Sequence, residues 1–203
     1  MSGGEKTVGP WRVLSERSIF DNPWIELVHH DVTHPDGSPG QYGVVKFRNI
    51  AIGVLPIDEN GMVPLVGQHR FPLDRYSWEL PEGGGKLGVL PLDSAKRELA
   101  EETGLAAEYW SELCAFDVSN SVTDERAICF LAWGLTQGAA TPEPSEALTV
   151  KQVSFKDLLE MVMSGAITDS LTIVMTLTAC AKALRGELPE PISGIVLAAL
   201  ARK

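Results

Sequence analysis

The sequence predicts an α/β fold of the α+β type: an α/β/α sandwich around a mixed sheet, preceded by an N-terminal antiparallel β extension. Three observations predict it. Extended segments stand on both sides of one acidic helix, a second long helix with apolar residues at helical spacing follows it, and residues 11–47 consist of extended segments and turns. Strands with helices available for both faces of a sheet are typical of this architecture.

The first half of the chain is predicted to be rich in strands. Turn signals separate the extended segments, which cover residues 11–14, 24–32, 42–47, 51–57 and 62–67. The dipeptide Asn60-Gly61 lies between the last two and favours a β-hairpin. A glycine loop at 83–85 then leads toward the acidic helix, which is predicted over residues 92–103.

The second half of the chain is predicted to contain three strands followed by three helices. The predicted strands are 110–116, 127–133 and 148–153, and the predicted helices are 156–163, 170–184 and 195–201. Residues 138–145 are rich in Gly, Thr and Pro and are predicted to form a flexible loop.

Composition excludes several classes of function. A formal charge of −10 and a pI of about 4.8 argue against a broad nucleic-acid-binding surface, which would be basic. No apolar stretch is long enough for a membrane span, and residues 1–6 carry no apolar signal region. The three cysteines are isolated, so we expect reduced thiols in a cytoplasmic protein.

Three carboxylates crowd the predicted acidic helix. Glu98, Glu101 and Glu102 are related by three- and four-residue spacings, so they share one helix face, and Gly104 stands where a helix cap belongs. Like charges this close repel one another unless a cation lies between them, and hard divalent ions such as Mg²⁺ take oxygen ligands of this kind. A solvated acidic surface is the ordinary alternative.

The surrounding residues resemble the Nudix box, in which a glycine, a glutamate and the run Arg-Glu-hydrophobic-x-Glu-Glu-x-Gly-hydrophobic follow at fixed spacing. The residues that fit this pattern are Gly83, Arg97, Glu98, Leu99, Glu101, Glu102, Gly104 and Leu105. One position departs from it, because Val89 stands where the box has its first glutamate.

The resemblance extends over roughly residues 47–185 and implies the α/β/α sandwich already predicted. It divides the chain into an N-terminal β extension, 1–46, and a Nudix hydrolase domain with C-terminal helices, 47–203. The extension resembles the extra β-subdomain of ADP-ribose and nucleotide-sugar pyrophosphatases, which often mediates dimerisation. The resemblance therefore implies a homodimer.

The resemblance also implies a metal site for Mg²⁺, with Mn²⁺ as a possible substitute. Glu98 and Glu102 are the expected ligands, and Glu101 is a further ligand or a group that orients water. The backbone carbonyl of Glu82 matches a position that often coordinates metal in this branch. Gly83, Arg97 and Gly104 are expected to have structural roles.

The resemblance leaves the catalytic base open. In related enzymes the base often lies on a loop after the box, and Glu146 matches that position best. Glu143 lies on the same loop, and Glu125 and Glu101 are further candidates; the loop residues could equally be solvated charges. Arg70 resembles an arginine that grips substrate phosphate or sugar, and Glu79 is expected to face the substrate or the metal.

Val89 raises the question of what Arg97 binds, since in the family the missing glutamate pairs with the box arginine. An unpaired, partly buried arginine is costly. We therefore predict another acceptor for Arg97: a carbonyl of the glycine loop, Asp93 or Glu101.

The implied reaction is hydrolysis of the pyrophosphate bond of a nucleoside diphosphate sugar or ADP-ribose. The products would be a nucleoside monophosphate and a sugar phosphate. ADP-ribose enzymes commonly have a proline in the region that corresponds to residues 119–121, and this chain has none there. Sugar nucleotides therefore remain candidate substrates. The alternative, motivated by Val89, is a catalytically weak or inactive nucleotide-binding module.

Overall fold

A computed structural model describes residues 6–138 and 148–201, and it confirms the α/β class. The chain forms two compact units, each built from two stretches of sequence. Unit 1 comprises Met1–Ile50 and Asp117–Arg126, and unit 2 comprises Ala51–Phe116 and Ala127–Lys203. None of the helices in the described part of the chain is long and apolar enough to cross a membrane.

Unit 1 is an antiparallel sheet. Its strands, which lie side by side in chain order, are β1 (Lys6–Val8), β2 (Trp11–Asp21), β3 (Ile25–Thr33) and β4 (Pro39–Phe47). Strand β2 is longer than the predicted segment 11–14, and β1 was not predicted. The second stretch of unit 1 bonds to β4, because Val45 N–H donates to the Val122 carbonyl (2.8 Å) and Phe47 N–H donates to Asp124 Oδ1 (2.7 Å).

The remaining described elements are four strands, one helix, three more strands and three final helices, with a short 3-10 helix after the second of the strands. The strands are β5 (Asn49–Pro56), β6 (Met62–Arg70), β7 (Arg75–Glu79), β8 (Glu82–Lys86), β9 (Leu105–Asp117), β10 (Arg126–Gln137) and β11 (Thr149–Ser154). The helices are α1 (Pro91–Thr103), α2 (Phe155–Met163), α3 (Ser170–Leu184) and α4 (Ile192–Leu200), and a short 3-10 helix covers Phe71–Leu73.

These strands form two sheets. One has the order β8-β5-β10-β9, with β5 and β10 parallel, and the other has the order β11-β6-β7, with antiparallel neighbours. The Asn-Gly turn forms as predicted, with Gly61 at φ 75° and its N–H bonded to the Asp58 carbonyl. The predicted β-hairpin is nevertheless wrong, because the two strands that the turn joins enter different sheets. Each finds its ladder partners elsewhere in the chain, which the local turn signal does not reveal.

The sheet β8-β5-β10-β9 has a helix against each face. A Cβ added at Gly85 would meet Ile52 of β5 and Ser94 of α1. A Cβ added at Gly53 would meet Met175 of α3. Since neighbouring positions 52 and 53 of a strand point to opposite faces, α1 and α3 cover opposite sides of the sheet. The predicted sandwich is therefore confirmed.

Helix α1 has the boundaries that its sequence predicts. Pro91 occupies the first turn, where its missing N–H costs nothing, and Gly104 ends the helix in the left-handed region at φ 71°. Ala95 and Leu99 are fully buried. Residues 82–86 are a strand instead of the predicted glycine loop, because they pair with β5 at the edge of the sheet.

Helix α3 is joined to the connection between β7 and β8 by a buried hydrogen bond. The Leu80 N–H donates to Thr172 Oγ1 at 2.8 Å, and both residues are inaccessible to solvent. This bond satisfies a backbone donor that no strand partner reaches. It therefore holds the start of β8 against the helix.

We predict that Thr172→Val destabilises the protein by about 1–3 kcal/mol, because the isosteric side chain leaves the buried Leu80 N–H without an acceptor. Thr176→Val is the matched control. It is equally buried on the same helix, but its hydroxyl donates to the Thr172 carbonyl within the helix, so a smaller loss is expected. Urea unfolding measures both, and equal losses would contradict the prediction.

Candidate functional site

Helix α1 directs two of its clustered carboxylates into the protein. Glu98 and Glu102 lie one turn apart and are only 7% and 5% exposed, whereas the Glu101 side chain is 29% exposed. Burying carboxylates is costly unless donors or cations compensate their charge. The two buried residues therefore do not form the solvated surface that is the ordinary interpretation of such a cluster.

The backbone of β8 lies directly against these carboxylates. The Glu82 N–H donates to Glu102 Oε2 at 3.0 Å. A Cβ added at Gly83 would lie 2.3 Å from the Glu98 carboxyl carbon, so only glycine fits this position without a shift. The fold thus brings Glu82 and Gly83 of β8 against Glu98 and Glu102 of α1.

Arg97 connects the helix to the same strand. Its guanidinium donates to Glu101 Oε2 (2.6 Å), to the Gly84 carbonyl (2.9 Å) and to Glu98 Oε1 (2.6 Å). The predicted replacement partners, a carbonyl of the glycine segment and Glu101, are confirmed. Val89 itself is 44% exposed in the turn before the helix. Arg97 is therefore well paired without a glutamate at position 89.

Arg70 and Glu79 are the last residues of β6 and β7, and their side chains bind each other. Arg70 Nε lies 2.9 Å and 3.0 Å from the two Glu79 carboxylate oxygens, and its Nη2 donates to Glu79 Oε2 (2.5 Å) and to Glu82 Oε1 (2.8 Å). Glu79 is buried, while the Arg70 side chain is 35% exposed. Arg70 was expected to face the substrate and Glu79 the substrate or the metal; in the structure, Glu79 and Glu82 orient the guanidinium.

Sequence reasoning missed one acidic residue of this region. Glu79, Glu82 and Asp169 each offer a carboxylate oxygen, and these oxygens all lie within 4.8 Å of one another. Burial raises the pKa of Glu82 well above its ordinary value, and the neighbouring Asp169 and Glu79 raise it further. The sequence signal of Asp169 is that of a helix N-cap, since its side chain accepts from Thr172 N–H (2.7 Å).

Contacts among the described residues do not place the four candidate bases at one site. Glu143 and Glu146 lie outside them. Glu125 belongs to the stretch Asp117–Arg126 of unit 1, and burial raises its pKa. Glu101 lies on α1 and is held by Arg97. No described contact selects one of these four residues as the base.

The site residues suit a hard divalent cation. All the candidate ligand atoms are oxygens, from carboxylates and a backbone carbonyl, which is the donor set that Mg²⁺ and Mn²⁺ prefer. The partial burial of the carboxylates excludes much of the water that would otherwise screen them. This chemistry fits neutralisation of a negatively charged substrate.

Comparison with known proteins agrees with a site that acts on a negatively charged substrate. Residues 47–169 match the model of the NUDIX domain, and residues 11–45 match the nucleoside diphosphate sugar hydrolase N-terminal domain. An ADP-ribose pyrophosphatase of Bacillus subtilis is 32% identical over 163 residues, covering 79% of this chain and 88% of that protein.

Another relative and a solved structure extend the comparison. An ADP-ribose pyrophosphatase of Mycobacterium tuberculosis is 32% identical over 185 residues, or 90% of this chain and 89% of its own. The crystal structure of an ADP compounds hydrolase shares the fold with a TM-score of 0.78 at 14% identity, covering 90% of this chain and 100% of that one. The chain belongs to the Nudix family, in its ADP-ribose and nucleoside diphosphate sugar branch, and is a Nudix pyrophosphohydrolase.

Proposed function

We propose that this enzyme hydrolyses the pyrophosphate bond of ADP-ribose or of a nucleoside diphosphate sugar in a Mg²⁺-dependent reaction. The products are a nucleoside monophosphate and a sugar phosphate. The observation that carries the proposal is the burial of Glu98 and Glu102 against the β8 backbone, within a segment that matches the Nudix domain.

Glu98, Glu102 and the Glu82 carbonyl are the proposed ligands of Mg²⁺ or Mn²⁺, with Glu101 as a further ligand or a group that orients water. A bound divalent ion supplies charge neutralisation and lowers the pKa of bound water. Pyrophosphate cleavage needs mostly these two contributions together with positioning. The residues of the chain fix the ligand carboxylates, through the Glu82 N–H and the Arg97 guanidinium.

Arg70 and Glu79 are proposed as a substrate-binding pair. Buried Glu79 holds the guanidinium in place, and the partly exposed Arg70 presents positive charge to a phosphate or sugar. A planar guanidinium fixed by a carboxylate loses little further freedom when it binds phosphate oxygens. The water-activating residue is proposed among Glu146, Glu143, Glu125 and Glu101, with Glu146 preferred by its position after the box.

The relatives favour ADP-ribose as the first substrate to test. Two of them are named ADP-ribose pyrophosphatases and are 32% identical to this chain. The missing proline at residues 119–121 and the match of residues 11–45 to a nucleoside diphosphate sugar hydrolase domain keep sugar nucleotides in the panel. An inactive module is disfavoured, because Arg97 is paired and all three box carboxylates near it are present.

Release of nucleoside monophosphate should therefore depend on Mg²⁺ and on Glu102. The panel contains ADP-ribose, ADP-glucose, UDP-glucose, GDP-mannose and a dinucleoside polyphosphate. Glu102→Gln should lower kcat/KM by at least about 100-fold, since even groups that only orient metal ligands are worth about 10–100-fold. Glutamine still accepts from the Glu82 N–H, so the fold should be kept.

Glu108→Gln is the matched control, because Glu108 is an exposed residue of β9, and it should retain wild-type turnover. Chelation of the metal should abolish product release, and added Mg²⁺ should restore it. Wild-type protein that hydrolyses no member of the panel with either Mg²⁺ or Mn²⁺ would support the inactive module.

Val89→Glu should change kcat/KM by no more than about fivefold, which is the scale of a partly exposed ion pair. Arg97 already has three acceptors, so a new carboxylate adds little. Leu87→Glu, an exposed residue of the same turn, is the charge-matched control. If Val89→Glu creates activity where the wild type has none, the native protein is not a working hydrolase.

We propose that the chain is a cytoplasmic homodimer that uses its N-terminal extension, residues 1–46, as the dimerisation element. Phe20 and Trp24 of this region are 52% and 66% exposed, and the described cysteines carry no disulfide. Light scattering should give about twice the 22.0 kDa chain mass. Changing both Phe20 and Trp24 to serine should lower the measured mass to that of a single chain. Leu184→Ser, an exposed position in α3, is the control and should leave the dimer mass unchanged. A dimer mass in the Phe20 and Trp24 variant would overturn this assignment.

A further inference from the structure

Three elements of unit 2 each contribute one carboxylate to a single cluster. Glu79 ends β7, Glu82 begins β8, and Asp169 precedes α3. One oxygen from each lies within 4.8 Å of the other two. We define these three residues as the β7–β8–α3 cluster. Its members lie outside the run Arg97–Gly104 that carries the box carboxylates.

The charges of the cluster do not balance. Arg70 is the cation bonded to it, and it donates to Glu79 and Glu82. Three carboxylates and one guanidinium leave two negative charges when all are ionised, which is the charge that one divalent cation neutralises. Like charges at this separation and burial repel strongly unless a cation or a proton lies between them.

Glu82 provides a second, independent observation. Its Oε2 atom is buried and has no hydrogen-bond partner among the described residues. Nearby backbone donors are already used, since Leu80 N–H binds Thr172 and Glu82 N–H binds Glu102. A buried acceptor without a partner is rare and costs free energy. This oxygen therefore needs either a proton shared with Asp169 or a cation.

We propose that Glu79, Glu82 and Asp169 form a second cation site, separate from the box carboxylates, for a hard divalent ion such as Mg²⁺ or Mn²⁺. Its donors are carboxylate oxygens, the class such ions select. The ion would connect β7, β8 and α3 and fix Glu82, whose N–H holds Glu102 and whose carboxylate holds Arg70. The site does not depend on the reaction proposed above.

The decisive variant is Asp169→Asn. It removes one charge and one ligand but keeps the helix cap, because asparagine accepts from the Thr172 N–H as well as aspartate does. Glu82→Gln is the second variant. Asp157→Asn is the matched control, since Asp157 is an exposed aspartate in the first turn of α2, outside the cluster.

The full chain is titrated with Mn²⁺ in the absence of substrate. Calorimetry, together with electron paramagnetic resonance of the free Mn²⁺, then gives the number of ions bound per chain. Wild type and Asp157→Asn should bind one ion more per chain than Asp169→Asn or Glu82→Gln. In the variant with both Glu98 and Glu102 changed to Gln, one site should persist, and adding Asp169→Asn should remove it.

An unchanged ion count in Asp169→Asn and Glu82→Gln would overturn the proposal, and the cluster would then hold a proton. Loss of all Mn²⁺ binding in the variant of Glu98 and Glu102 would overturn it as well. Hydrolysis is a separate readout. Wild-type turnover with Mg²⁺ combined with an unchanged count in Asp169→Asn leaves the proposed function standing and rejects only the second site.

Discussion

The close approach of strand β8 to the acidic face of helix α1 is the constraint on which the rest of the site depends. Position 83 accommodates glycine because the Glu98 carboxylate occupies the space that a Cβ would fill, and the neighbouring Glu82 N–H binds Glu102. The sheet fixes the strand, and Pro91 and Gly104 set the limits of the helix. The missing Cβ at position 83 therefore allows the β8 backbone to lie directly against two carboxylates of α1.

Arginines control the negative charge around this contact. Arg97 binds two carboxylates of its own helix together with a β8 carbonyl, and Arg70 binds Glu79 and Glu82. Arg97 thus joins α1 to β8, and Arg70 joins β6 to β8 as well as to its ladder neighbour β7. Partly buried ion pairs of this kind contribute little net stability, but losing one partner is expensive. Their main effect is to hold ligand side chains in a single arrangement, which catalysis by positioning requires.

Sequence signals predicted the features that interactions between neighbouring residues determine. The spacing of Glu98 and Glu102, the first-turn proline and Gly104 all act within α1, so its limits and its acidic face followed from the sequence, as did acceptors for Arg97. Strand β8 was missed because glycine disfavours strands and only pairing with β5 outweighs this preference. The division into two sheets and the position of Asp169 depend on contacts between distant residues, and the sequence carries only a cap signal for Asp169.

The stretch Asp117–Arg126 connects two long strands, β9 and β10, and at the same time belongs to unit 1, where it bonds to β4. Connecting loops usually tolerate substitution and changes of length, because little else depends on their backbone. Here the donors of Val45 and Phe47 rely on Val122 and Asp124. A change in the length of this connection would therefore remove acceptors from a sheet that is formed about seventy residues earlier in the chain.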